Sequence, residues 1–211
     1  MNVVGTSRLW VTKFKNVHDV LVNAIVRCWP ACRARCKPTT LEDEITRKLV
    51  IAMRRDTIIR SSPFFIESQL ELLPEDLKGN VGVKGYLDIA VLFSAASRKL
   101  YMAFECKRLN VSYGSTRRRS LATEYVLQGM MRFVRAQYAK NFPTDAMVGY
   151  VMDGDTSIAQ SAITKRIKRY KRRLHCRMRD LKPGLPPSAM ITTHSRSCGD
   201  IHLSHLLVPF S

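Results

Sequence analysis

Two apolar runs of strand length, "YLDIAVLF" (86–93) and "LYMAFECKRL" (100–109), constrain the fold of this chain more than any other feature of it. The "SAASRK" between them is polar and turn-like, so the two runs form a hairpin. "LYMAFE" is too apolar for a solvated face, and each run carries an acid in that setting, Asp88 in the first and Glu105 in the second. In an extended chain residues i and i+2 point the same way, so Glu105 and Lys107 project together while Cys106 turns to the other face. Neighbouring strands bring the two carboxylates together at one end of the sheet, and Lys107 completes the group.

The flanking pattern supplies the other elements. Val17, Val20, Leu21, Ala24 and Ile25 recur at helical spacing, and Trp29-Pro30 is expected to stop that helix. Residues 1–39 therefore read as an appended helix and basic linker, and residues 40–211 as the main domain. Thr40 is expected to cap a helix whose stripe is Leu41, Ile45, Leu49, Ala52 and Met53. "PFFIESQLELL" reads as a strand, and Gly82 and Gly85 lead into the hairpin. A polar loop with Arg117, Arg118 and Arg119 precedes a helix over 121–140. The strand "AMVGYVMD" follows, then the basic helix "SIAQSAITKRIKRYKRRLHCRM", a break at "PGLPP", and two strands at "AMITTH" and "IHLSHLLVPF". The sum is a mixed α/β domain with a mixed central sheet.

Charge narrows the partners. Lys and Arg total 35 against 17 Asp and Glu, a formal net charge of +18 that favours a polyanion. The longest stretch without a charged residue, Pro183 to Ser195, is short and largely polar, so no membrane span is expected. Arg8, Lys13 and Lys15 adjoin no apolar core with a small-residue cleavage site, which points to the cytoplasm. Cys28, Cys32 and Cys36 are spaced by four, but Pro30 interrupts them, and His175, Cys176, His194 and Cys198 lack structural-zinc spacing. Free thiols are expected. His194, His202 and His205 read as strand residues, with His202 and His205 on opposite faces.

Asp88, then sixteen residues, then Glu105-Cys106-Lys107 on the next strand, within an αβββαβ order, resembles the PD-(D/E)XK nuclease superfamily with its restriction-endonuclease-like fold. The likeness covers roughly 40–153; Leu87 stands where many members have proline. The resemblance implies phosphodiester hydrolysis with Mg²⁺, for which Mn²⁺ can substitute. Asp88, Glu105 and the main-chain carbonyl of Cys106 would hold the metal, and Lys107 would orient or help deprotonate the attacking water. A third acid from the first helix of the core commonly completes such a site. Glu42 lies beside the apolar stripe and Glu44 farther round, although acids in a first turn, Asp43 among them, are also favourable there for the helix dipole alone. The resemblance further implies a glutamine on the helix after the hairpin, here Gln128, with Arg132 beside it.

Outside that motif the strongest binding signal is the basic helix. From Thr156 to Lys182 there are ten Lys or Arg and only Asp180 among the acids. Phosphate neutralisation explains such an imbalance, with Lys165, Arg166, Lys168, Arg169, Lys171, Arg172 and Arg173 as contacts and the 117–119 arginines and Arg132 adding to them. The expected function is a Mg²⁺-dependent DNA endonuclease, placed by family analogy in restriction, phage defence or mobile-element biology. The alternatives are a structure-specific repair or junction-resolving nuclease, and a non-catalytic nucleic-acid-binding assembly subunit. A homodimer or a protein partner is compatible with each.

Overall fold

The computed structural model describes residues 7–72, 85–93, 101–113, 117–138, 142–177, 182–183 and 189–210. Gly82, the "SAASRK" turn and the 184–187 part of the "PGLPP" break lie outside the described residues. The strands are β1 (Phe65–Leu72), β2 (Gly85–Leu92), β3 (Tyr101–Leu109), β4 (Val111–Tyr113), β5 (Arg117–Arg119), β6 (Thr144–Val151), β7 (Lys182–Pro183), β8 (Ala189–His194) and β9 (Ile201–Pro209). Seven of them form one sheet in the order β1-β2-β3-β6-β9-β8-β7. β1-β2 and β2-β3 are antiparallel, β3-β6 and β6-β9 are parallel, and β9-β8 is antiparallel. The sheet is mixed because helical segments cross from β3 to β6 and from β6 to β9, and parallel neighbours need such crossovers.

One face carries α1 (Ser7–Arg33) and α2 (Glu42–Arg55), which is followed by the short α3 (Thr57–Arg60). The other carries α6 (Thr156–Tyr170) and a segment in which α4 (Ala122–Glu124) passes through a π-helical turn, Tyr125–Met130, into α5 (Met131–Val134). β6 shows why both layers are needed: seven of its eight residues are buried, so its odd and even side chains each meet a helical layer.

Several sequence expectations are corrected here, and the first is the basic helix, which ends at Tyr170 and not at the end of its basic run. α1 runs through Pro30 to Arg33. Pro30 lacks only the N–H of the last full turn, and the neighbouring Trp29 anchors that turn by stacking on Tyr150 at 5.4 Å and 9° and donating its indole N–H to the Pro209 carbonyl. Leu21, Val22, Ala24, Ile25, Trp29 and Cys32 are buried in one core with the sheet, so the segment read as an appendage shares that core. The helix expected over 121–140 ends at Val134, where Arg135 leaves helical geometry and Ala136 takes φ 52°. Arg117–Arg119 are not a loop but one strand of a small hairpin with Val111–Tyr113. Thr40, finally, does not cap α2: the N-cap is Leu41, without a side-chain bond, and Thr40 Oγ1 accepts from the Lys37 N–H at 2.8 Å.

Under α6 a buried hydrogen-bond relay joins three elements. Leu174 C=O can only accept, so His194 Nδ1 donates to it at 2.8 Å and leaves Nε2 as an acceptor for the Thr192 hydroxyl at 2.8 Å. Thr192 Oγ1 then accepts from His205 Nε2 at 2.8 Å, and His205 Nδ1 accepts from the Tyr125 hydroxyl at 3.0 Å. One carbonyl thereby sets both imidazole tautomers, and both rings are neutral. His202, on the opposite face, is exposed and meets Thr193 Oγ1 at 3.0 Å. No described helix is long and apolar enough to cross a membrane.

Burial lowers His194 to about 4 and His205 to about 3. Unfolded imidazoles titrate near 6.5, so this stabilisation is complete above about pH 6.5 and is lost as pH falls towards about 4. Each histidine contributes a fall of about 1.4 kcal/mol per pH unit near pH 5, against the opposite trend of the raised acids Asp88 and Asp145, so in urea unfolding the wild type should lose about 1.4 kcal/mol per pH unit more than His194→Gln does. Trp29→Ala should cost about 3–5 kcal/mol in the same assay at neutral pH, because it removes a core indole rather than trimming an appendage.

Candidate active site

The β2-β3 ladder runs from Leu92↔Tyr101 to Ile89↔Phe104 and stops one residue short of Asp88 and Glu105. At that point the Asp88 side chain takes over from the partner backbone, its Oδ2 accepting the Cys106 N–H at 2.7 Å. On the other side Gln69 drops out of the β1-β2 register with φ 55°, and its Nε2 donates to Asp88 Oδ1 at 3.4 Å. A left-handed residue inside a strand carries local strain, and here it lies beside the buried acid.

Lys107 occupies the centre of the group. Its Nζ donates to Glu42 Oε1 at 2.8 Å and to the Cys106 carbonyl at 2.8 Å, and lies 3.0 Å from Glu105 Oε1 and 3.8 Å from Asp88 Oδ2. Glu42 is the first residue of α2, and its second oxygen accepts the Arg108 N–H at 2.7 Å, so one carboxylate ties the helix start to β3. Glu44 points elsewhere, to Lys48 at 2.7 Å. Glu105 is fully buried, and Arg132 Nη1 reaches both its oxygens, at 2.9 and 3.0 Å. Arg132 also donates to the Tyr138 hydroxyl at 2.7 Å, which donates to the Tyr86 carbonyl at 2.6 Å.

Three carboxylates therefore face two cations. Burial, and then the charge of Glu105, push Asp88 up to about 7. Burial works against the charge on Lys107, but Glu105, Asp88 and Glu42 outweigh it and raise the ammonium above its ordinary range. Among the described residues no three His, Cys, Asp or Glu side chains converge as a metal-ligand set, since the carboxylates here converge on the ammonium. The donor types are nonetheless hard oxygens, two buried carboxylates and a main-chain carbonyl around one cationic point, which is the chemistry Mg²⁺ takes.

Other sequence candidates are scattered. Gln128 is exposed and makes no hydrogen bond to Asp88 or Glu105; the π-helical turn shifts the helix phase so that Gly129 faces Glu105 instead. A Cβ on Gly129 would lie 2.4 Å from Met147 Cε and 3.5 Å from Glu105 Cγ, so glycine is what allows the helix so close. Arg132, expected on nucleic acid, is bound to Glu105. Arg118 pairs with Asp153 at 2.7 Å and Arg119 with Glu124, which occupies two of the three hairpin arginines, while the Arg117 side chain lies outside those described. Lys165, Lys168, Arg169, Lys171, Arg172 and Arg173 are exposed, and Arg166 is half-buried. Gln69 and Tyr138 were missed. Nothing in a strand pattern flags a left-handed glutamine, and a tyrosine at helical spacing such as Tyr138 signals only packing.

The Glu105–Arg132 contact makes a direct test. Arg132→Leu strands a buried carboxylate and should cost about 3–5 kcal/mol, whereas in a Glu105→Gln background the same change should cost at least about 1 kcal/mol less. Urea denaturation of the four-member mutant cycle measures this coupling. No known protein family, curated protein or solved structure matches this chain.

Proposed function

We propose that this protein is a Mg²⁺-dependent DNA endonuclease built on the αβββαβ core of the PD-(D/E)XK superfamily. The observation that carries the reading is the convergence of Glu42, Asp88 and Glu105 on Lys107 where β2 and β3 part. A structural ion pair needs one acid; three acids from three separate elements around a half-buried lysine leave net negative charge that a divalent cation would balance. The order α2, β1, β2, β3, the α4–α5 segment and β6 is compatible with that core, and the net charge of +18 suits a polyphosphate substrate.

Asp88, Glu105 and the Cys106 carbonyl would hold the metal, with Glu42 at its margin. Bound Mg²⁺ supplies Lewis-acid polarisation of the phosphate and lowers the pKa of a coordinated water. The chain's own residues do the rest. Three carboxylates keep Lys107 charged, so it serves as a hydrogen-bond donor to a phosphate oxygen as negative charge develops there, rather than as the base. Glu42 fixes the direction of that ammonium and is itself fixed by the Arg108 N–H. Arg132 and Tyr138 hold the Glu105 carboxylate in one orientation.

Plasmid nicking and linearisation should require Mg²⁺ and stop in EDTA. Lys107→Ala should fold and bind DNA while losing at least about 100-fold in cleavage rate, as removal of one transition-state donor does. Asp88→Asn and Glu105→Gln should lose cleavage and weaken Mg²⁺ binding in a titration. Cleavage by the wild type in EDTA, or full activity of Lys107→Ala, overturns the reading.

A further inference from the structure

The basic run on α6 is not one surface. Ala159, Ile163 and Ile167 point inward, which leaves two flanks. Thr164 Oγ1 lies 3.8 Å from the sulfur of Met190 on β8, so the flank that carries Thr164, Gln160 and Lys168 looks towards β8. The sheet order places β6 and β3 on the far side of β9, and the π-helical turn packs there. Arg166 and Arg169 fall on that opposite flank by helical phase.

Two open depressions extend the second flank to the carboxylate group. The first, about 280 Å³, is lined by Gln128, Arg132, Arg135 and Gln137, and it starts at the arginine that holds Glu105. The second, about 500 Å³, shares Met131 and Arg135 with the first and continues to Arg173, His175, Ser195 and Ser197. No acid lines either depression. Among the described residues neither Arg135 nor Arg173 forms an ion pair, in contrast to Arg118 and Arg119. Guanidinium, amide, hydroxyl and imidazole donors in one acid-free channel match a row of phosphate oxygens, and a guanidinium fork binds phosphate in two places at once. The lysine flank is also polar and basic, with Ser157, Ser161 and Lys165 beside Lys168, but it turns away from Glu105 and Lys107.

We propose that the DNA backbone follows the arginine flank, from Arg132 past Arg135 to Arg169 and Arg173, and that the lysine flank of the same helix lies off the path. This rests on the nuclease reading for its substrate and on the surface geometry for its course. Two variants of equal charge loss separate the flanks: Arg135→Gln/Arg169→Gln/Arg173→Gln and Lys165→Gln/Lys168→Gln/Lys171→Gln, each made in the full chain. Fluorescence anisotropy with a short labelled DNA duplex, and with the matching single strand, across a salt series in EDTA reads binding without cleavage. The arginine variant should weaken binding at least about 10-fold and reduce the log–log salt slope by about 2–3, while the lysine variant should change the slope by less than about 1. Equal effects in the two variants, a larger effect in the lysine variant, or no DNA binding by the wild type overturns the proposed path. Plasmid cleavage in Mg²⁺, assayed beside the binding, keeps the two readings apart: a wild type that binds along the arginine flank but does not cleave sinks the nuclease reading and leaves the path standing.

Discussion

The Lys107 ammonium is the point on which the arrangement depends. It lies 2.8 Å from Glu42 on α2, 2.8 Å from the carbonyl of its own strand neighbour and 3.0 Å from Glu105. Gathering three carboxylates, two of them buried, is unfavourable, and positive charge placed among them reduces the cost beyond what the main-chain N–H donors supply. Lys107 and Arg132 provide it, both within reach of Glu105 Oε1, one from the same strand and one from the helix above the sheet. The start of α2, the parting of β2 from β3 and the position of the π-helical turn are therefore coupled through a few hydrogen bonds. A group held this tightly from several elements is preorganised, which is what stabilising charge in a transition state requires.

Local backbone irregularities cluster at the same place. Gln69 at φ 55° breaks the β1-β2 register beside Asp88, the β2-β3 ladder ends at Ile89, and the π-helical turn brings Gly129 against Glu105. Each departs from regular structure, and each aims a group at the carboxylates: an amide at Asp88, a main-chain N–H at the same acid, and a bare backbone that gives Arg132 its approach. The far side of that helix turn is held by Tyr125, whose hydroxyl enters the buried relay through His205 and Thr192 to His194. The relay and the carboxylate group thus hold one short helical segment from two directions.

Much of this was legible from residue patterns. Period-two and period-3.6 hydrophobic spacing located the main strands and the helices, although the helices after β3 and β6 end earlier than the pattern suggests, at Val134 and Tyr170, and the i, i+2 relation put Glu105 and Lys107 on one face. The choice of Glu42 over Glu44 followed from its place beside the apolar stripe of α2. These are local relations, and backbone geometry fixes them before any tertiary contact forms.

Other features were decided only by packing. Pro30 is a helix breaker by its own chemistry, yet α1 continues past it because Trp29 stacks on Tyr150, a residue far away in sequence. Gln128 lost its expected place to a π-helical turn that no periodicity announces, and Arg132 moved from the surface to Glu105 in consequence. The basic run of α6 was visible as composition, but its division into an arginine flank and a lysine flank depends on which strand lies beneath each side of the helix. The sequence determined which charges exist and how they are spaced along each element. The tertiary structure decided which of them meet, because charge pairing and burial act between elements that the chain order leaves far apart.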